Sequence, residues 1–254
     1  MQQLVFELAP PEPPSFENFV VGPNAEVVAA VARFAAGEAA ETGLLLWGAP
    51  AAGKTHLLQA AVRLARARGL PATLVAQPAD LATADVGMLA AQAVVAVAAV
   101  DRLPADTQGR LFTLYNALKA SGGRLLAASR LPLAALPMRE DVRTRLGWGL
   151  VYEVVPLTDA DKPVALADYA RRRGFALSDD VIRYLLAHGR RDMTALCATL
   201  AALDRHSLST KRPITVPLLR SWLQREMPWG AGRGVTAPNA GRGRSLPTGF
   251  APAS

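Results

Sequence analysis

The chain has 254 residues, 51% of them hydrophobic, with 28 Lys and Arg against 21 Asp and Glu and a single cysteine. That length accommodates one large domain or two smaller ones, and the apolar content suffices for a substantial core. The composition excludes an internal disulfide and a cysteine-rich zinc site, and the longest apolar runs, "GLLLWG" and "AVVAVAAV", are too short to span a membrane.

In chain order, Met1–Pro14 opens with "QQLVFEL" and ends in "APPEPP", which reads as an extended, unpacked tether. It contains neither a basic region nor an apolar signal segment, so with one cysteine the expected compartment is the cytoplasm. Asn24 is placed to cap a helix running to Ala36 and ended by Gly37. Strand and helix patterns then alternate: "LLLW", a helix from Lys54 to Arg68 ended by Gly69, "ATLVA", "VVAVAAV", a helix near Thr107–Ala120, and "RLLAAS". This alternation predicts an α/β fold, a parallel sheet covered by helices. From Thr158 onward the pattern is helical only, over Asp159–Arg173, Ser178–Ala187, Asp192–Ser207 and Val216–Arg225, which predicts a small all-α domain. Beyond Trp229 there are no acids, and Arg233, Arg242 and Arg244 stand among Gly, Pro, Ser and Ala. Such a tail buries no core of its own. It is either a solvated extension or a contact to nucleic acid, the latter suggested by the net charge of +7. The expected organisation is a tether (1–14), an α/β domain (15–156), a helical domain (157–227) and a disordered basic tail (228–254).

"GAPAAGKT" matches G-x-x-x-x-G-K-[ST] through Gly48, Gly53, Lys54 and Thr55, between an expected strand and an expected helix. Glycines let backbone N–H groups turn inward around phosphates, and the helix N-terminus adds its positive dipole end. Lys54 is expected to reach the β and γ phosphates and the Thr55 hydroxyl to ligate Mg²⁺, so ADP or ATP with Mg²⁺ is the expected ligand. Hydrolysis needs an acid on a neighbouring strand for the metal and a second to orient water. Two registers are open from the residues alone. Either Asp101 is the metal acid, followed by Arg102, or the acid pair belongs where Ala98 and Ala99 stand. On an extended strand Asp101 would lie roughly 10 Å beyond Ala98 and face the other way. In both registers the water-orienting acid is missing, so binding is better supported than turnover.

"SFENFVVGPNAE", "GKTHLLQA", "LFTLYNAL" and above all "VRTRLGWGLVYEV" resemble the AAA+ module of the bacterial replication initiator DnaA. "PLTDADKPVALADYARRRGFALSDDVIRYLL" resembles the helical lid of the DnaA-related regulatory branch represented by Hda, the regulatory inactivator of DnaA. The likeness runs from about Ser15 to Gln224 and lacks the initiator's DNA-binding domain. It implies an AAA+ P-loop core with a helical lid. It puts Val20, Val21 and Gly22, with Phe16 and Phe19, where the family's adenine pocket begins; by spacing alone the two phenylalanines equally form a hydrophobic staple. It sets the register so that Ala98 and Ala99 occupy the acid positions. It also implies Thr194 where a γ-phosphate-sensing residue stands, with Arg190 and Arg191 one turn away, and Ser129 at the sensor position on the strand ending in "AASR".

By the same resemblance, Arg145 is an arginine finger, directed into a neighbour's nucleotide site; spacing alone gives it instead a salt bridge with Asp141. "QLVFEL" resembles the peptide with which Hda grips the sliding clamp of DNA polymerase III, through Gln3, Leu4, Phe6 and Leu8. The implied function is negative regulation of replication initiation. A nucleotide-bound adaptor would promote hydrolysis of DnaA-bound ATP in trans, with DnaA and the β sliding clamp as partners, a homodimer open, and no membrane. The rival readings are an active P-loop ATPase with Asp101 on the metal, and a DNA-binding initiation factor using the tail. His56, His188 and His206 have no metal-ligand spacing, and Cys197, Trp47 and Trp148 read as packing residues.

Overall fold

A computed structural model of the protein describes residues 13–189 and 192–226. Gln3, Leu4, Phe6 and Leu8, Arg190 and Arg191, and the basic tail lie outside the described residues, as does the side chain of Thr194. Five strands form one sheet: β1 (Gly43–Trp47), β2 (Ala72–Val75), β3 (Val94–Val97), β4 (Arg124–Ser129) and β5 (Leu150–Glu153). Their order is β2-β3-β4-β1-β5 and every neighbouring pair is parallel. The expected α/β architecture is therefore present.

Side-chain alternation along these strands feeds two cores. Leu44, Leu46, Val94, Ala96, Leu126 and Ala128 face α1 (Ala25–Ala35) and α2 (Lys54–Ala67), meeting Val31, Phe34, Leu57, Leu58 and Ala61. The intervening Leu45, Val95, Val97, Leu125 and Ala127 face the other way, against Leu81 of α3 (Pro78–Thr83) and Leu89 of α4 (Val86–Ala90). The same face meets Leu111, Leu114 and Leu118 of α5 (Ala105–Ser121) and Val142 and Leu146 of α6 (Glu140–Gly147). Each fully buried Leu, Val or Phe among them contributes about 1.5–3 kcal/mol, which is why strands buried on both faces read as continuous apolar runs. A third core belongs to α7 (Asp161–Arg172), α8 (Asp179–His188), α9 (Met193–Thr210) and α10 (Val216–Glu226), through Leu166, Leu185, Leu200, Leu203 and Leu219. Ser178 and Asp192 cap α8 and α9 by accepting from Val181 and Ala195 N–H groups.

Three details differ from the sequence expectation. The "VVAVAAV" strand stops at Val97; Ala99 is left-handed (φ 53°) and Val100–Arg102 form a 3₁₀ turn. The short helices α3 and α4 start from local signals, Pro78 at a helix N-terminus and Asp85 accepting from Gly87 and Met88. Asn24 precedes α1 but makes no side-chain cap bond. What positions the site is register: Trp47 faces Ser129 and Val97 faces Ala127. The ends of β1, β3 and β4 thus share one edge, the carboxyl edge at which open α/β sheets take ligands.

Candidate nucleotide site and surface arginine

The glycine-rich loop leaves β1 at that edge. Gly48 (φ 147°) and Gly53 (φ 101°) adopt backbone angles that side chains rarely reach. A Cβ on Gly48 would lie 2.4 Å from the Val154 carbonyl oxygen, and one on Gly53 would lie 2.7 Å from the Phe19 ring. Lys54 opens α2 almost fully buried. Its Nζ donates to the Gly48 and Ala49 carbonyls, both at 2.7 Å. Burial lowers its pKa; Asp101 acts against that shift and Arg130 adds to it. Thr55 is exposed on the first turn of α2, beside the helix N-terminus.

Phe19 is buried over Gly53 and meets His56 edge-on, with ring centroids 5.3 Å apart. His56 Nε2 bonds the Ser15 carbonyl at 2.8 Å, and burial lowers the ring's pKa while that bond opposes the shift. Between this wall and the helical domain runs a cleft lined by Asn18, Phe19, Val20, Ala52, Gly53 and His56 on one side. Tyr169, Met193, Cys197, Ala201 and Arg205 line the other. Val21 and Gly22 border a second groove of about 780 Å³ against α7, which Val20 and Phe19 share. The structure thus gathers Val20 and Gly53 in one cleft and turns Val21 and Gly22 to its neighbour.

The lid side of the cleft is absent from the sequence expectation, although its signal is there: Met193, Cys197, Ala201 and Arg205 recur every four residues and mark one face of α9. Cys197 both packs in the helical core and lines the cleft, and burial pushes its thiol up to about 12. Asn24 also departs from its expected role as a cap. It is buried and bridges to Val155, its Nδ2 donating to the Val155 carbonyl at 2.9 Å and its Oδ1 accepting from the Val155 N–H at 2.8 Å.

Where the resemblance expects the acid pair, Ala98 is buried and Ala99 is the left-handed residue. Because the chain turns there, Asp101 is not carried along an extended strand to the opposite face. It returns to β4, where its side chain is wholly buried. Its Oδ2 pairs with Arg130 Nε at 2.7 Å and its Oδ1 accepts from the Arg130 N–H at 3.2 Å. Ser129 spends its hydroxyl on its own turn, donating to the Leu131 carbonyl at 2.8 Å and accepting from the Leu131 N–H at 2.9 Å. Among the described residues no group of three or more His, Cys, Asp and Glu is placed to hold a metal ion.

Arg145 lies on α6, half-buried. Its guanidinium sits 4.1 Å from the Trp148 ring centroid and 5.0 Å from that of Phe112, and its Nε donates to Asn116 Oδ1 at 3.1 Å. Asp141 is taken by Arg139 at 2.7 Å, so the salt bridge that spacing offered Arg145 does not form. The aromatic stack and the Asn116 bond fix the plane of the fork. Its two terminal amino groups have no hydrogen-bond partner among the described residues. Trp148 is 54% exposed, so the stack stands at the surface. No helix among the described residues is long and apolar enough to cross a membrane.

Two family models match the chain, the bacterial DnaA ATPase domain over residues 12–75 and the Hda lid domain over residues 159–223. Domain III of the Thermotoga maritima replication initiation protein DnaA is similar at TM-score 0.66 and 20% identity, covering 86% of this chain and 98% of that one. AMPPCP-bound DnaA from Aquifex aeolicus gives TM-score 0.63 and 21% identity, over 78% of this chain and 69% of that one. The Thermotoga maritima RuvB Holliday junction branch migration motor gives 0.55 and 17%, over 84% and 72%. At these identities the three structures share the fold.

Proposed function

We propose that this chain, a DnaA-related AAA+ protein close to Hda by its lid and ATPase-domain matches, holds a nucleotide for shape and completes the ATPase site of DnaA in trans. A role in the regulation of DnaA-related replication follows from its lid and its ATPase-domain match together. The observation that carries the finer reading is Arg145: a fork locked in plane by Trp148, Phe112 and Asn116, at the surface, with both terminal amino groups open. A guanidinium is permanently charged and matches phosphate oxygens in pairs, and a finger supplied in trans is worth about 10³–10⁵ in rate. The glycine loop, Lys54 and the cleft below Phe19 supply a nucleotide site, and a DnaA structure of similar fold carries AMPPCP. Intrinsic turnover is disfavoured, since Ala98 and Ala99 supply no acid and Asp101 is committed to Arg130.

In this reading Gln3, Leu4, Phe6 and Leu8 dock on the DNA-loaded sliding clamp, and Arg145 enters the ATP site of DnaA. ATP-DnaA becomes ADP-DnaA, which restrains re-initiation. The test mixes the full chain with clamp-loaded DNA and ATP-bound DnaA and compares hydrolysis with that of Arg145→Ala. Loss of stimulation by the variant, with unchanged thermal unfolding, is expected; equal rates overturn the finger role.

A further inference from the structure

We infer that Arg130, held by Asp101, occupies the electrostatic place that magnesium has beside the phosphates in other P-loop sites, so that this chain binds its nucleotide without metal. The inference rests on the nucleotide-binding part of the proposed function and not on the trans activity. Magnesium requires a near-octahedral oxygen shell, which P-loop proteins complete with a strand-end carboxylate outside the nucleotide and a loop hydroxyl. Here the acid positions carry the methyl groups of Ala98 and Ala99, and the one nearby carboxylate, Asp101, is fully buried and spent on Arg130. Of the usual protein oxygens only the Thr55 hydroxyl is left.

Arg130 stands where the metal's charge is needed. It comes directly after Ser129, which faces Trp47 at the last rung of the β1–β4 ladder, so Arg130 leaves β4 at the sheet edge where Gly48 leaves β1. The Lys54 ammonium feels both charges, the Asp101 carboxylate raising its pKa and the Arg130 guanidinium lowering it. Asp101 takes the Nε, which leaves the two terminal amino groups on a side chain that is half exposed. The charges also balance. Two carboxylates with Mg²⁺ sum to zero, and so do Asp101 with Arg130; in both arrangements the lysine remains as the net positive charge facing the phosphates. A buried acid paired with a half-exposed arginine fixes the direction of the fork, because an unpaired buried carboxylate is strongly disfavoured. Arg130 is thus the phosphate-binding residue, and Asp101 positions it.

The test measures binding of a fluorescent ADP analogue to the full chain in excess Mg²⁺ and in excess EDTA. Wild type is expected to bind within about twofold under both conditions. Arg130→Ala is expected to lose at least about tenfold in EDTA, the loss of one charge-assisted contact. Asp101→Asn is expected to weaken binding in EDTA more than in Mg²⁺, a metal dependence that general loosening of the fold does not produce. Arg130→Lys, followed by thermal unfolding, keeps the charge if Arg130→Ala does not fold, and is expected to bind more weakly than wild type in EDTA. Wild-type binding that collapses in EDTA, or an Arg130→Ala variant equal to wild type, overturns the inference while leaving nucleotide binding in place. No binding under either condition, against a wild type that is folded, removes the nucleotide reading and this inference with it.

Discussion

Asn24 and Val155 lie 131 positions apart and exchange two hydrogen bonds, the Asn24 amide serving as a substitute strand for the Val155 backbone. The bridge ties the segment under Phe19 to the link between β5 and α7, and both Asn24 and Val155 border the cleft. Asn24→Ala would leave the Val155 N–H and C=O unpaired in a part-buried place, at about 1–3 kcal/mol for each group that water does not reach. Urea denaturation should show a midpoint lowered accordingly with unchanged slope. A shift below about 0.5 kcal/mol, the range of ordinary surface substitutions, would mean that the bridge contributes nothing to stability.

Trp148 carries the Arg145 fork on its face and is itself largely solvent-exposed. Trp148→Ala should leave stability within about 0.5 kcal/mol. Stimulation of DnaA-bound ATP hydrolysis should fall about three- to tenfold, the value of a cation–π contact of this kind. Arg145→Lys should fall further than Trp148→Ala, since it keeps the charge but loses the planar fork. Stimulation untouched in both variants would detach the aromatic stack from the activity.

His56 supplies a pH dependence with a defined sign. Its pKa is lowered by burial below the ordinary 6.5, so in the folded chain the ring stays neutral while the unfolded chain already takes up a proton. Stability from this group is full above about pH 6.5, falls as pH drops toward the folded value, and is flat below it. Urea midpoints of wild type should decline across that window. His56→Gln, which retains a donor for the Ser15 carbonyl, should flatten the decline; parallel slopes in the two proteins would assign it to other groups.

Cys197 lines the cleft with its thiol pushed up to about 12 by burial, against the opposing pull of Arg173. The thiolate is the reactive form, and at pH 8 about one part in 10⁴ is ionised. Maleimide should label the folded chain about a thousandfold more slowly than the urea-unfolded chain, and saturating ADP should slow it again. Labelling that ADP leaves unchanged would place the nucleotide away from this face of α9.

Much of this is legible in the sequence because it rests on local rules. Continuous apolar runs mark β1, β3 and β4, and Ser178 and Asp192 announce α8 and α9. The G-x-x-x-x-G-K-T spacing locates the glycine-rich loop between β1 and α2. The features that are not legible depend on partners far along the chain. Asn24 has the chemistry of a helix cap and the same amide serves as a bridge; only the fold brings Val155 to it. Asp101 is displaced only if the strand runs unbroken through Ala98–Val100, and nothing in two alanines signals a left-handed turn. Arg130 carries no motif at all, and its meaning comes from the register of β4 against β1.

That turn makes its own prediction. Ala99 sits at φ 53° and ψ 44°, a conformation in which its Cβ crowds the following carbonyl at a cost of about 1–2 kcal/mol. Glycine removes the crowding but returns about 0.4–1 kcal/mol of freedom to the unfolded chain. Ala99→Gly should therefore stabilise the protein by a net ~0.5 kcal/mol, and Ala99→Val, β-branched in the same backbone, should destabilise it by more than the alanine strain itself. The next two residues hold the turn in place: Val100 is buried in the core under α5, and Asp101 is locked to Arg130. Releasing that lock with Asp101→Asn should let the segment relax toward an extended strand, so the gain from Ala99→Gly should shrink in the double variant. A double-mutant cycle on urea midpoints reads that coupling, and strict additivity would show that the left-handed alanine and the ion pair are independent.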